Sequence, residues 1–390
     1  MSDRSRLQID LNILDENIKK LGVLAPINEI LFMVKANAYG HGMLHLVDFC
    51  LSNSHIREFG VATCGEARQL REIFPTEHFA TYVFSDLALE QNRDFYGQGS
   101  MIPVISNFED LNIFLIDSSY KNVPLCLKFN TGMNRLGFEL SHVEEIISMM
   151  RVRGRSSIHH LMTHLSSACM PATNKRNVGQ VEAFKNIKNA FEAGNISLER
   201  TSISNSGAIE QGLGLEETHI RPGLMLYGPS SLIKRYRSRS NWQGRTVSSL
   251  MTRILQTFPI KKGTPIGYGA SPCPSEGLLA ILALGYGDGF STHFEGAHLF
   301  HKGYKGKIVG RVNMDMTHVL FPLEAEKDIR PGDQVEIWGH DKEGILRFAE
   351  ETGTIPYEIF CQLTPRVPRS YNLKQSMMFK EDDHGKKLAY

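Results

Sequence analysis

Short apolar runs and longer segments of helical periodicity alternate from residue 30 to about residue 225. Eight repeats of strand then helix within about 200 residues are typical of a (β/α)8 TIM barrel. Helical patterns lie between the strands at 65–73, 108–116, 142–153 and 177–193. The predicted strands are Ile30–Lys35, Phe59–Ala62, Thr81–Ser85, Ile102–Ser106, Leu125–Phe129, Ile158–His164, Thr201–Asn205 and His219–Arg221.

The pattern changes after a basic, turn-rich stretch from Lys234 to Arg245, which we interpret as a solvated interdomain linker. We expect a barrel domain at 1–240, with residues 1–11 forming a strand that joins the second domain, and a mostly β second domain at 241–390. The last eleven residues, Lys380 to Tyr390, are charged and predicted to fray. Strands of the second domain are predicted at Val247–Phe258, Leu278–Leu284, Lys307–Val312, His318–Phe321 and Gln334–Trp338.

The composition of the chain limits which cellular compartment and which binding partners are expected. The 390 residues are 42% hydrophobic and 22% charged, with a formal charge of +1 and a pI near 7.7. Such a balance gives no field that would concentrate nucleic acid or anionic lipid. The chain shows neither an apolar signal segment nor a run of membrane-spanning length, which predicts a cytoplasmic protein. The six cysteines form no Cys-x-x-Cys pair, and we interpret them as reduced core residues.

Lys35 stands where an apolar predicted strand, 29–34, runs into a Gly-rich turn that opens a helix. A lysine at the end of a buried strand often only solvates its ammonium. In a barrel, however, the active site gathers at the carboxyl ends of the strands, and a lysine there is a candidate Schiff-base amine. Other polar residues share that end: Lys128, Arg135, His164, Asn205, Ser206 and Arg221.

The loops after the seventh and eighth strands form the recurrent phosphate site of such barrels. Here they read Ser204-Asn205-Ser206-Gly207 and Arg221-Pro222-Gly223-Leu224, small residues with amides open to phosphate oxygens. A lysine facing a phosphate site suggests pyridoxal 5′-phosphate, with Arg221 beside its pyridine nitrogen. A guanidinium keeps its proton, so the ring stays a weak electron sink, which favours simple proton exchange at Cα.

Several segments together resemble the alanine racemase family of fold-type III pyridoxal phosphate enzymes, over nearly the whole chain. Residues 34–42, Val-Lys-Ala-Asn-Ala-Tyr-Gly-His-Gly, are similar to the family's cofactor-lysine signature. Matches to other family segments follow in order at 128–137, 221–223, 267–269, 285–289, 310–315 and 366–369.

The resemblance implies two bases, because a single group would return the proton mostly to the face it came from. Lys35 would act on one face of Cα and Tyr268, from the second domain of a neighbouring subunit, on the other. A head-to-tail homodimer that interconverts L-alanine and D-alanine is therefore implied.

The resemblance also implies roles for other positions. The phosphate would be held by Tyr39, Ser206, Gly223, Leu224 and Tyr357, and His164 would contact Arg221. Arg135 would reach the ring hydroxyl and the substrate carboxylate, next to a Lys128 that is carbamylated in many relatives. From the partner, the amide of Met314 would bind the carboxylate, with Tyr286 and Asp315 shaping the mouth.

The chain departs from the family pattern near the entrance. Asn130 replaces the usual Asp, no arginine follows Gly285-Tyr286, and Leu165-Ser166-Ser167-Ala168 replaces an aromatic and acidic pattern. A racemase of broader specificity, or one for serine or lysine, is therefore an alternative. The missing signal segment favours an alanine enzyme that supplies D-alanine for the cell wall.

Two further classes compete. A non-catalytic pyridoxal phosphate carrier uses the same kind of barrel, although such proteins lack the β domain. A metal-dependent hydrolase barrel is suggested by His41 and His45, four apart on a predicted helix, and by the crowding of His159, His160 and His164. Its first strand would normally end in a His-x-His pair, whereas Lys35 stands there, and we expect no metal.

Overall fold

The computed structural model describes residues 4–97, 101–341 and 343–373. No helix in those ranges is both long and apolar enough to cross a membrane. The first part of the chain contains, in order, β1 (Ser5–Asp10), α1 (Leu11–Leu24), β2 (Glu29–Met33), α2 (Lys35–Tyr39), α3 (Met43–Asn53), β3 (Glu58–Val61), α4 (Cys64–Ile73), β4 (Ala80–Val83), α5 (Arg93–Gly97), β5 (Met101–Ile105), α6 (Phe108–Ile116), β6 (Cys126–Lys128), α7 (Val143–Val152), β7 (Ser157–Ile158), β8 (His160–Met162), α8 (Lys175–Ala193), β9 (Ser197–Leu198), β10 (Thr201–Ser202), α9 (Ser206–Ile209), β11 (His219–Ile220) and α10 (Lys234–Arg237).

The first domain is a parallel barrel, as predicted. Its strands pair in the order β10-β8-β6-β5-β4-β3-β2-β11, and every neighbouring pair is parallel. A bridge between Asn205 and Arg221, just beyond β10 and β11, brings the two edges of the sheet together. The carboxyl ends of the strands therefore face one opening.

Burial explains why these segments form strands and helices. All five residues of β5 are buried, as expected for a parallel strand covered on both faces. Helix α8 buries a stripe at helical spacing, Asn177, Gln180, Phe184, Ile187 and Phe191, and leaves its other face to solvent. The barrel is thus enclosed by amphipathic helices.

The second domain is a mostly β structure, also as predicted. Its long strand β12 pairs with β1, β15 and β19, so that the first strand of the chain belongs to this sheet. Strand β1 also pairs with β20, in parallel. The elements are β12 (Ser248–Ile260), β13 (Pro265–Ile266), β14 (Ser271–Pro272), β15 (Gly277–Leu282), β16 (His298–His301), β17 (Tyr304–Ile308), β18 (Thr317–Phe321), β19 (Gln334–Trp338), α11 (Gly344–Glu351), α12 (Pro356–Gln362) and β20 (Arg369–Asn372).

Most residues of the predicted solvated linker at 234–245 are exposed, but the segment is structured and anchored, which the prediction missed. Residues 234–237 form α10, and Arg237 pairs with Glu350 of α11 at 2.5 Å. Trp242 is buried, and its ring N–H donates to the carbonyl of Gly228 at 2.8 Å. A buried indole and an ion pair anchor this segment to both domains, which its basic composition conceals.

Two smaller predictions also need correction. Cys50, Cys64, Cys126 and Cys273 are buried and free, but Cys361 is exposed and Cys169 is only half-buried. His41 lies in the turn before α3, so it does not share a helix with His45. The predicted frayed tail, Lys380 to Tyr390, lies outside the described residues.

Candidate active site

A cavity of about 950 Å³ opens at the carboxyl ends of the barrel strands. Its wall brings together all the predicted cofactor-binding residues and Lys128, from loops and strand ends spread over more than 300 positions of the chain. The predicted residues that line it are Lys35, Tyr39, Lys128, Arg135, His164, Ser206, Arg221, Gly223, Leu224 and Tyr357.

Lys35 opens an unusual turn, here called the Lys35 turn (residues 35–42). Ala36, Asn37, Ala38 and Tyr39 all have φ of 52° to 53°, in the left-handed region. Such a conformation costs roughly 1–2 kcal/mol per non-glycine residue. Packing and hydrogen bonds must therefore hold the turn in place.

The barrel supplies part of this support. Thr63 and Glu66 form a capping box at the start of α4, and the other carboxylate oxygen of Glu66 accepts from the Ala36 amide at 2.6 Å. The side-chain oxygen of Asn37 accepts from the Met43 amide at 2.8 Å and so begins α3. Helix α4, which follows β3, thus positions the turn at the end of the neighbouring strand β2.

The second domain supplies the rest. The His41 ring is fully buried, and its Nδ1 donates to the carbonyls of Ala38 and Tyr39 at 3.1 and 2.9 Å. Its Nε2 lies 2.9 Å from the Ser248 hydroxyl, and Tyr371 donates to the His41 carbonyl at 3.0 Å. Burial lowers the pKa of His41 to about 4, so the ring is neutral and Nε2 accepts from Ser248.

The amines of the cavity are poorly solvated and carry no carboxylate partner among the described residues. Burial, followed by the charge of Arg135, lowers the pKa of Lys35. Burial lowers the pKa of Lys128 to about 8, with further contributions from Arg135, Arg221 and Lys35. Neutral amines, which act as bases and nucleophiles, are therefore within reach near neutral pH.

The predicted phosphate loops form a small cradle. The Ser206 hydroxyl accepts from the amides of Gly223 and Met225 at 3.0 and 3.3 Å. A Cβ at position 223 would lie 2.5 Å from the hydroxyl of Tyr39, so only glycine fits there. Burial raises the pKa of Tyr39 above its usual range, which keeps its hydroxyl as a neutral donor.

Sequence reasoning missed Ser231, whose hydroxyl lies 3.3 Å from that of Tyr357 at the cavity wall. Burial raises the pKa of Tyr357 to about 12, so this phenol is also neutral. The buried carboxylate of Glu210 accepts from the Ser231 amide and the Ser230 hydroxyl and fixes the loop. The turn-forming run Pro229-Ser230-Ser231 was the available signal.

Arg221 and His164 line the same wall, but they form no hydrogen bond with each other in the described part of the chain. Arg221 donates to the Ser202 hydroxyl and to the carbonyls of Thr163 and Ile203. Burial, together with Arg221 and the other cations, lowers the pKa of His164 well below its usual range. His164 is therefore a neutral ring, 3.4 Å from the amide nitrogen of Asn205.

Arg135 is exposed at the cavity mouth, in a turn held by Asn130. The Asn130 side-chain oxygen accepts from the amides of Asn134 and Gly132 at 2.9 and 3.2 Å. An amide at position 130 can hold this turn as a carboxylate would, but it brings no negative charge. The departure from the family pattern therefore leaves the charge of Arg135 free for an anion.

The histidines crowded near the sixth predicted strand each have a separate hydrogen-bond or ion-pair partner. His159 pairs with Glu199 at 2.9 Å, and His160 lies 2.8 Å from the Ser202 hydroxyl. Across residues 4–97, 101–341 and 343–373, no three His, Cys, Asp or Glu side chains converge as ligands of one metal ion.

Four predicted site residues lie on one face of the second domain and do not line the cavity of their own chain. We call Tyr268, Tyr286, Met314 and Asp315 the Tyr268 face. Tyr268 is 73% exposed at the tip of the β13–β14 hairpin, between two glycines with φ of 55° and 82°. The Gly287 amide donates to the Met314 carbonyl at 2.9 Å, which joins the loops of Tyr286 and Met314.

The arrangement matches one family along both domains. Residues 9–231 match the profile of the alanine racemase N-terminal domain, and residues 247–371 match that of the C-terminal domain. An alanine racemase of Nitrosococcus oceani is 30% identical over 365 residues, covering 93% of this chain and 98% of that protein. One of Shewanella loihica is 31% identical over 371 residues, covering 93% and 97%.

Solved structures agree. The alanine racemase of Acinetobacter baumannii superposes with a TM-score of 0.81 at 27% identity, over 95% of this chain and all of that one. That of Bartonella henselae, described with covalently bound pyridoxal phosphate, gives a TM-score of 0.83 at 26% identity over the same shares. With both of its domains matched in order, the chain belongs to the alanine racemase family, a family of isomerases.

Proposed function

We propose that this protein interconverts L-alanine and D-alanine with pyridoxal 5′-phosphate held at Lys35. The observation that carries the proposal is a half-buried lysine, with no ion-pair partner among the described residues, at the end of the first barrel strand, in a cavity whose wall also holds Lys128, Arg135 and Arg221. Such an excess of positive charge suits an anionic cofactor and a substrate carboxylate.

The residues present fit this cofactor. Tyr39, Ser206, Tyr357 and the amides at Gly223 and Leu224 would hold its phosphate, and Arg221 would face the pyridine nitrogen. Burial lowers the pKa of Arg221 to about 10, which leaves the guanidinium charged at neutral pH. When bound at Lys35, the cofactor withdraws electrons from Cα and so acidifies the proton there.

The chain's own residues would move that proton. The lowered pKa of Lys35 makes its amine available as the base on one face of Cα. Arg135 would orient the substrate carboxylate. The opposite face needs a second base, and Tyr268 of the partner subunit would supply it in a head-to-tail homodimer, with Met314, Tyr286 and Asp315 completing the mouth.

The proposal of a dimer is supported by the exposure of large side chains on the Tyr268 face. Tyr268, Tyr286 and Met314 are 73%, 46% and 53% exposed, more than is usual for side chains of this size. They share one face that no element of the same chain covers in the described residues. A second copy placing this face over the cavity would complete the site and bury the apolar side chains.

Complementation between two inactive variants tests the cofactor lysine, the second base and the dimer together. Lys35→Ala and Tyr268→Ala should each be inactive alone. After subunit exchange at equal amounts, half of the dimers are mixed, and one of their two sites has both residues intact, so about a quarter of wild-type activity should return. No recovery, despite exchange shown by differently tagged subunits, would contradict a site shared between subunits.

The alternatives are not favoured by the comparisons, since the matched relatives are alanine racemases over both domains. A carrier without a β domain does not account for residues 247–371. We also propose that the enzyme supplies D-alanine for the cell wall and that it works in the cytoplasm. Six free cysteines support the proposed compartment, because the cytoplasm keeps thiols reduced. Fractionation of the producing cells, with activity found outside the cytoplasm, would contradict this location.

A further inference from the structure

A column of polar side chains fills the barrel interior beneath Arg221, where barrels usually pack branched apolar residues. It runs from Arg221 through Ser202, His160 and His219 to Glu58, which begins β3. Ser202, His160 and His219 are all buried. None of these four residues below Arg221 lines the cavity.

The direction of the upper hydrogen bonds follows from the donors present. A guanidinium has only donors, so the contact between Arg221 and Ser202 uses the hydroxyl oxygen as acceptor. The Ser202 hydrogen then has one acceptor within reach in the described structure, Nε2 of His160 at 2.8 Å. His160 is therefore neutral with its proton on Nδ1, consistent with the burial that lowers the pKa of His160 well below its usual range.

The lower histidine has the opposite assignment. The Thr218 hydroxyl donates to the Thr201 carbonyl at 3.1 Å and accepts from the Thr201 amide at 2.8 Å. Nδ1 of His219 lies 2.8 Å from the same hydroxyl oxygen. Nε2 of His219 lies 3.5 Å from Glu58, and neither atom has another partner among the described residues.

Glu58 decides which nitrogen of the His219 ring carries a proton. Burial raises the pKa of Glu58, but hydrogen bonding by His219 and the charge of Arg200 outweigh burial, so that the pKa of the carboxyl falls below its usual value. A carboxylate facing a bare nitrogen would be repelled, so Nε2 of His219 carries a proton. The column thus has a charged lower end, Glu58 with Arg200, and a neutral upper part, His160 and Ser202.

The neutral part separates Arg221 from the carboxylate. Every acceptor that Arg221 uses among the described residues is uncharged, namely a hydroxyl and two carbonyls. Its charge is therefore not neutralised within the barrel and remains directed to the cavity. A carboxylate in the place of His160 would compete for that charge.

We propose that His160, acting through Ser202, is a positioning residue that holds Arg221 toward the cavity with its charge uncompensated. The inference rests on the proposed function, because Arg221 is there assigned to the pyridine nitrogen. It adds a role for two residues that do not touch substrate or cofactor.

Two substitutions at position 160 test the role. In His160→Leu nothing accepts the Ser202 hydrogen, and we expect kcat to fall by about 10- to 100-fold, as for a displaced positioning group, with KM little changed. The absorbance band of the bound cofactor should shift as well. His160→Gln, whose amide oxygen accepts a hydrogen bond, should restore most of the rate and the band position.

Ile102→Val is the matched control, since Ile102 is a buried barrel residue outside the column. It should lower the melting temperature slightly and leave kcat and the band unchanged. The role is overturned if His160→Leu keeps both kcat and the band, or if it behaves like the control. Borohydride trapping at Lys35 in the wild type separates this failure from failure of the proposed function.

A measurement on the wild-type apoprotein keeps the inference testable if His160→Leu does not fold. Nitrogen-15 NMR of the histidine rings should show His160 neutral with the proton on Nδ1 and His219 with a proton on Nε2. A proton on Nε2 of His160, or an Nε2 of His219 without a proton, would overturn the assignment.

Discussion

The Lys35 turn and the Tyr268 face carry the two proposed bases, and a single chain completes only the first. The second half of the turn, 38–41, is buried, and Glu66, Ser248 and Tyr371 hold the strained backbone of the turn from both domains. Tyr268 projects from the four-residue loop of the β13–β14 hairpin, 73% exposed, with no hydrogen-bond partner for its hydroxyl in the described structure. The fold of a single chain thus fixes the position of Lys35. It leaves Tyr268 on the surface, where it is available to a partner subunit.

The first test of this contrast removes the exposed hydroxyl. In Tyr268→Phe the racemisation rate should fall by about 10²- to 10⁴-fold, the range for loss of a general acid–base group. Uptake of solvent deuterium should be lost mainly from L-alanine, while the melting temperature of the apoprotein should stay unchanged because the hydroxyl is exposed.

Tyr304→Phe is the matched control, because Tyr304 also lies in the second domain and its hydroxyl donates only to Asp328, at 2.6 Å. Its rate should equal that of the wild type. Equal residual deuterium uptake from both enantiomers of alanine in Tyr268→Phe would rule out the assignment of two bases.

A second test weakens the buried turn. His41→Gln should lower the free energy of unfolding at pH 7.5 by about 1–3 kcal/mol, through loss of buried hydrogen bonds. The pKa of His41 lies at about 4 in the folded chain and near 6.5 when unfolded. The unfolded chain therefore binds a proton that the folded chain does not, and the wild type loses up to ~1.4 kcal/mol per pH unit from this group as pH falls from 6.5 to 4.

The variant lacks that dependence, so its deficit should shrink at pH 5. Urea unfolding of the apoproteins at pH 7.5 and pH 5 measures the difference, with His55→Gln as an exposed control. His160 and His164 contribute equally to both proteins and cancel. A deficit that is the same at both pH values would show that His41 is not held as a neutral ring.

The smallest expected effect concerns Lys128. We propose that its neutral amine bonds to CO₂ and releases one proton, giving a carbamate between Arg135 and Arg221. Because the pKa of Lys128 is lowered to about 8, the reactive neutral form grows as pH rises through that value. Carbon-13 NMR with labelled bicarbonate should show a carbamate signal that increases over this range.

Lys128→Met should abolish the signal and raise KM for alanine by about 10-fold, since Arg135 loses an anion that orients it. Lys121→Met, at an exposed lysine, is the control. Persistence of the labelled signal in Lys128→Met would place the carbamate elsewhere.

The sequence predicted the barrel, the second β domain and the residues around the cavity, because those signals are local. Alternating periodicity marks strands and helices. The loops 204–207 and 221–224 follow the seventh and eighth strands, so the order of the strands alone places them at the predicted phosphate site. The linker was misjudged for the opposite reason. Trp242 is buried by Gly228 and its surroundings, and basic residues around it in sequence carry no trace of that packing.

By itself the sequence determined which side chains reach the site, since strand order fixes what stands at the carboxyl ends. Only the tertiary structure decided their conformation and charge. The left-handed backbone of Ala36 to Tyr39 persists because Ser248 and Tyr371, more than 200 residues away, bond to His41. Likewise, burial among cations sets the pKa values of Lys35 and Lys128, and lack of cover leaves Tyr268 exposed. Contacts between distant segments create these properties, and no local pattern encodes them.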